Sequence, residues 1–248
     1  MELSEFFDSY SRQARLQPAL LVLFPLFIGV ATWVPALYEL ATGLVSLGVA
    51  CGAVVYLAHV SRALGRKVEL ALFTCWGGKP TTLWLSHSDC NLDVQTKARY
   101  HAFLAEHIYG WAPPSPEDEL RNAQAAAVSY ESAVRWLREK TRNRKKYYLV
   151  FRENISYGFR RNLYGLKRLG IFLALLCVAG NSCAIYHDVS KVTATIKPEG
   201  VASLALSLVL VGGWCTVVRI SWVRDAADGY ARALLASCDQ IRSEDANR

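Results

Sequence analysis

Four long stretches of this sequence contain no Asp, Glu, Lys or Arg: Leu16–Tyr38, Leu40–Ser61, Leu169–His187 and Gly200–Val218. Proton relays, ion-coupled transporters and voltage sensors carry ionisable groups at membrane depth, so this lack argues against all three. No internal repeat suggests the inverted halves of a secondary transporter. None of the seven cysteines stands in CxxC spacing, so a disulfide framework is not expected. No GxSxG, HExxH, Walker A or Rossmann string is present. The sequence therefore offers no cofactor, no metal site and no catalytic set. No stretch alternates apolar and polar residues as a half-buried strand would.

What is present is apolar mass in blocks. The chain has 248 residues, of which 52% are hydrophobic and 20% charged, with a mean hydropathy of +0.16. A hydrocarbon core of ~30 Å needs ~20 apolar residues in helical form, and each charge-free stretch is that long. Buried helices of soluble proteins usually keep one polar stripe; these runs are apolar on every side. They predict an all-α integral membrane protein with spans at about 17–38, 40–61, 169–187 and 200–218. The first hairpin, with its N-terminal segment, occupies 1–61, and the second hairpin 169–218. Between them lies a helical domain at 62–168, and a C-terminal helix follows at 219–248.

Charge then predicts orientation. Segment 62–168 holds 19 Lys or Arg against 10 Asp or Glu. Within it, residues 138–168 hold 11 bases and two acids. Positive charge near span ends stays on the cytoplasmic side, which makes the inserted domain and both termini cytoplasmic in an inner membrane. Glu39 and Asp188–Glu199 then form the outer loops. Met1–Asp8 carries three acids and no base, unlike a cleavable signal peptide, so the first span is expected to remain as an anchor. Glu2–Leu16 itself is read either as a frayed terminus or as an interfacial helix.

Within the spans, Gly48 and Gly52 form a GxxxG pair, and Ser203 with Ser207 a second small-xxx-small pair. The preferred reading is intrachain helix packing, with a homo-oligomer seam as the alternative.

In the inserted domain, Arg62–Cys75 prolongs the second span and ends at Gly77-Gly78. Asp93 caps a helix running to about Tyr109. Ser115-Pro-Glu-Asp118 resembles a capping box opening a helix towards Arg142. From Tyr147 to Arg168, Tyr148, Phe151, Ile155, Phe159, Leu163 and Leu166 recur at helical spacing and predict one apolar face. Arg152, Arg160, Arg161, Lys167 and Arg168, with Arg144, Lys145 and Lys146 upstream, make the helix basic. Such a helix beside a span suits anionic phospholipids, at ~1 kcal/mol per base. Nucleic acid is disfavoured, because no recognition motif accompanies the charge and the positive-inside rule already accounts for it.

The string Trp76-Gly-Gly-Lys-Pro-Thr-Thr82 has the ingredients of an anion nest in Gly77, Gly78, Lys79, Thr81 and Thr82. The stronger reading is a helix-ending turn followed by a helix capped by Thr81 or Thr82. His87, Asp89, Cys90, Asp93, His101 and His107 lack the tight spacing of zinc ligands and read as polar surface residues.

WGGKPTT at Trp76–Thr82, TKARYHAFL at Thr96–Leu104 and ENISYGFRRNLYGLK at Glu153–Lys167 together resemble a group of uncharacterised bacterial multi-pass membrane proteins. The resemblance covers the inserted domain and implies a bacterial inner-membrane protein with a recurrent cytoplasmic module. It brings no activity or site residue.

The expectation is a non-enzymatic membrane protein whose cytoplasmic domain receives a protein partner or nucleotide ligand and couples it to the spans. A pore-forming effector of stress or antiphage defence is one specific form. The alternatives are a membrane-anchored enzyme with its site near Trp76–Asp93 and a small transporter.

Overall fold

The computed structural model describes residues 9–34, 36, 40–190 and 197–246, all-helical and without a strand among them. The expected turn at Glu39, most of the expected second outer loop and residues 2–8 of the expected N-terminal helix lie outside the described residues. Helical turns at Ser9–Ser11 and Arg12–Leu16, the second of them π-helical, lead into α1 (Gln17–Trp33). There follow α2 (Leu40–Trp76), α3 (Pro80–Leu83), α4 (Val94–His107), α5 (Pro116–Arg121), α6 (Ala123–Lys140), α7 (Tyr148–Gly165), α8 (Lys167–Val189), α9 (Pro198–Thr216) and α10 (Ile220–Asp245).

Four helical stretches are long and apolar enough to cross a membrane: Arg12–Trp33, Gly43–Leu83, Lys167–Val189 and Pro198–Thr216. The chain divides into two compact units, Met1–Glu69 with Gly158–Val223 and Leu70–Tyr157 with Arg224–Arg248. The second unit is thus shorter than 62–168 at both ends and takes in most of the C-terminal helix. The division falls inside α2, α7 and α10, each of which continues unbroken through it.

The first unit packs Ala19, Val22, Leu57, Ala58, Leu163, Leu166, Ala174 and Trp214 into one core. Much of its remaining apolar surface faces outward: Leu44, Val49 and Val209 are 62%, 68% and 70% exposed. That suits lipid rather than water. Close helix crossings explain two glycine positions. A Cβ on Gly170 would overlap the Trp214 ring, and one on Gly165 would press on the backbone of Leu64 and Gly65. Trp33 donates its indole N–H to Asn181 Oδ1 at 2.8 Å, and the Asn181 amide donates to the Cys177 carbonyl at 2.8 Å. A buried amide among apolar helices is thereby satisfied.

A helix break in this unit corrects the sequence reading. The helix placed at 219–248 directly after the fourth apolar run does not continue it: the backbone leaves the helix at 217–219 and restarts at Ile220. Carbonyls freed at such a break need donors. Lys167 Nζ donates to the Val218 carbonyl in the break at 2.6 Å. Just beyond it, the Arg160 guanidinium donates to the Trp222 carbonyl inside α10 at 2.8 Å and lies over the Trp222 ring.

In the second unit, Trp84, Leu85, Phe103, Leu104, Tyr130, Val134, Leu137, Leu234 and Leu235 form the core. Asp93 caps α4 by accepting the Thr96 N–H at 2.8 Å. Ser115 and Asp118 form the reciprocal capping box of α5. The helix it opens does not run on to Arg142. Asn122 leaves helical geometry at φ −152° and caps a new helix, α6, by accepting the Ala125 N–H at 3.0 Å. The start of α7 also differs from its predicted face. Tyr147 and Val150 are buried there, whereas Tyr148 is 63% exposed. The apolar i,i+3 series at 148 and 151 is offset by one residue from the side that meets the core.

Candidate functional site: a polar-ended cleft in the second unit

Helix α2 ends because Gly77 and Gly78 take φ of +77° and +151°, conformations that side chains resist. Their N–H groups donate back to the Thr74 and Phe73 carbonyls at 3.3 and 2.8 Å. Lys79, not Thr81 or Thr82, is the N-cap of α3, and the Thr82 hydroxyl donates to the Lys79 carbonyl at 2.8 Å. The Lys79 ammonium pairs with Glu131 on α6. The five residues Gly77, Gly78, Lys79, Thr81 and Thr82 thus build a chain-reversing turn. Both glycine donors and the lysine charge have partners within the chain, which removes what an anion nest would offer.

That turn is instead one wall of a cleft of about 530 Å³. Its other walls come from the loop after α3 and from α5 and α6. Leu83, Leu120, Ala123, Ala126 and Ala127 make it mainly apolar, and Ser86, His87, Ser88, Glu119 and Tyr130 form its polar end.

Glu119 organises that end. Its Oε1 accepts the Tyr130 hydroxyl at 2.5 Å and the His87 N–H at 2.9 Å. Its Oε2 accepts the Ser86 hydroxyl at 2.8 Å. Burial opposes ionisation of Glu119, but the bonds from Tyr130, His87 and Ser86 outweigh it and hold the carboxyl below its ordinary range. Tyr130 is pushed the other way, by burial and then by the neighbouring carboxylate, so it stays a neutral donor. Lys97 fastens the same loop from behind, donating to the Ser86 and Asp89 carbonyls at 2.5 and 2.6 Å.

His101 lies beneath, only 5% exposed. Its ring stacks on Tyr130 with centroids 5.6 Å apart and meets His87 edge-on at 5.2 Å. Its Nε2 lies 2.8 Å from the Leu85 carbonyl. Burial pushes this imidazole below its usual range. His87 turns its Nε2 to the Pro114 carbonyl at 3.0 Å. Asp89 binds Asn91, and His107 lies near Asp245. Among the described residues no group of three or more His, Cys, Asp or Glu converges as a metal site would require.

Sequence reasoning singled out His87 and His101 but missed Ser86, Ser88, Glu119 and Tyr130. The only local signal was the position of Glu119 in the first turns of a capped helix.

The basic residues divide. Lys167 donates to a carbonyl in the break at 217–219, Arg160 to the Trp222 carbonyl inside α10, and Arg161 pairs with Glu69 at 2.8 Å while only 12% of its side chain is exposed. Lys146 pairs with Glu244, and Arg144 lies over the Phe151 ring at 4.8 Å. Lys145, Arg152 and Arg168 are exposed. Of the small-residue pairs, Ser203 and Ser207 are buried within the unit. A Cβ on Gly48 or Gly52 would meet nothing within 4 Å among the described residues, so neither packs against another described helix.

Compared with protein-family models, curated proteins and solved structures, the chain matches none.

Proposed function

We propose that this chain is a multi-pass protein of a bacterial inner membrane, with both termini and the second unit in the cytoplasm, that senses a small ligand and signals to its spans. The carrying observation is the division of labour along the chain. One unit holds the apolar helices and exposes apolar surface, while the other holds a cleft with a fully hydrogen-bonded polar end. Helices α2, α7 and α10 belong to both units without a break, and such helices can carry a displacement further than a loop can. The basic excess of 62–168 supports the cytoplasmic placement. The resemblance seen in three strings of this segment supports the bacterial setting.

The sensing reading is preferred to an enzyme because His87 and His101 each turn a ring nitrogen to a backbone carbonyl while the Ser86 and Tyr130 hydroxyls go to Glu119, so that among the described residues of the cleft no serine–histidine pair forms. In its most specific form the protein is a membrane-perturbing effector of stress or antiphage defence, acting as an oligomer.

Two measurements test this. A reporter fused near residue 120 should be active only in the cytoplasm, and periplasmic activity would refute the orientation. Controlled expression with a membrane-potential dye should show depolarisation on activation, and an unchanged potential would refute the effector form.

A further inference from the structure

The cleft's electrostatics point to the class of its ligand, an inference that rests on the ligand-sensing reading above. Glu119 accepts four hydrogen bonds from three donors, and all three donors are neutral: a phenol, an alcohol and a backbone amide shared between both oxygens. Such donors hold a carboxylate in place without cancelling its charge. Among the described residues no Lys or Arg forms an ion pair with Glu119. The nearby Lys79 ammonium is taken by Glu131, and the Lys97 ammonium, itself buried, is taken by the Ser86 and Asp89 carbonyls. A fixed negative charge therefore lines one end of a cavity whose other walls are mainly apolar.

A charge at a partly desolvated position attracts its counter-charge more strongly than it would in water. The aliphatic wall favours an apolar body of limited size. An anion would meet Glu119 unfavourably and would find the Gly77 and Gly78 amides already bonded. A polyamine would leave the apolar wall unused.

We propose that the cleft is a binding site for an amphipathic organic cation, its ammonium directed to Glu119 and its apolar body laid between Leu83, Leu120, Ala123 and Ala127.

The test uses the full chain purified in detergent and three probes that share an indole body: tryptamine, tryptophol and indole-3-acetate. Titration calorimetry should give saturable binding of tryptamine, with tryptophol about tenfold weaker or worse and indole-3-acetate weaker still. Glu119→Gln keeps the shape and removes the charge, and should abolish the preference for tryptamine over tryptophol. Ala123→Trp, a change at the exposed rim, should fill the cleft and block all binding even if Glu119→Gln fails to fold. Equal affinity for tryptamine and tryptophol, both blocked by Ala123→Trp, would overturn the cationic class while leaving the cleft as a ligand site. Binding that survives Ala123→Trp would overturn both the class and the site. Absence of tryptamine binding to the unaltered chain would overturn the proposal outright.

Discussion

The Tyr130 hydroxyl donates to Glu119 Oε1 at 2.5 Å, joining α6 to the last turn of α5 across the floor of the cleft. Removing that donor leaves a half-buried carboxylate short of a partner. Tyr130→Phe keeps the ring stacked on His101 and deletes only the hydroxyl. It should cost about 1.5–3 kcal/mol, the usual range for a hydrogen bond to a charged group. Thermal unfolding of the full chain in detergent measures this, and no change in the midpoint would show the bond to be idle. The carboxyl of Glu119 is held below its ordinary value of 4.5. Its contribution is therefore present above that pH and is lost as pH falls towards its folded-state value.

His101 gives the opposite dependence. Burial holds its imidazole below the ordinary 6.5, so as pH falls the unfolded chain takes up the proton first. Stability should be complete above about pH 6.5 and should decline below it, until the folded form also protonates. Burial dominates; the Leu85 carbonyl and Glu119 favour the charged ring, His87 and Lys97 oppose it, and Tyr130 stacks on its face. His101→Gln can still donate to the Leu85 carbonyl and does not titrate. The acid-side slope of the melting temperature between about pH 6.5 and pH 5 should flatten in this variant. An unchanged slope would assign it to another group.

Two sets of glycines should respond differently to the same change. Gly170→Ala places a methyl group in the Trp214 ring and should destabilise the protein by about 1–3 kcal/mol, as overpacking does. Gly48→Ala and Gly52→Ala meet open space and should leave the isolated protomer's stability unchanged or slightly raised. Monodispersity on size exclusion and thermal unfolding distinguish the two sets.

The break between α5 and α6 depends on Asn122 as a cap. Asn122→Ala should cost about 1 kcal/mol and Asn122→Gly only a few tenths. Equal losses for the two would mean that the side-chain oxygen contributes nothing, which unfolding midpoints can resolve.

Signals confined to a few neighbouring residues were readable from the sequence. The four apolar helices follow from runs of about twenty residues without charge. The caps at Asp93 and Ser115 follow from side chains that reach only three positions ahead. The end of α2 at Gly77-Gly78 follows from the conformations glycine alone tolerates. None of these depends on what the helix later packs against.

Tertiary structure decided the rest, because each remaining feature depends on residues distant in the chain. Helical periodicity at 148, 151 and 155 described a face correctly as a pattern but could not say which side would meet α10, so Tyr148 emerged exposed and Tyr147 buried. Arg160 and Lys167 read as lipid-facing bases, but Lys167 reaches a carbonyl in the break at 217–219 and Arg160 the Trp222 carbonyl and ring at the start of α10. GxxxG spacing announces that helices can approach closely, yet among the described residues close approaches occur at other glycines, Gly65, Gly165, Gly170 and Gly200 among them. The cleft assembles Ser86, Glu119 and Tyr130 from three separate segments. No spacing rule links them, since only the packing of α5 and α6 against the loop after α3 brings two hydroxyls and a backbone amide to one carboxylate.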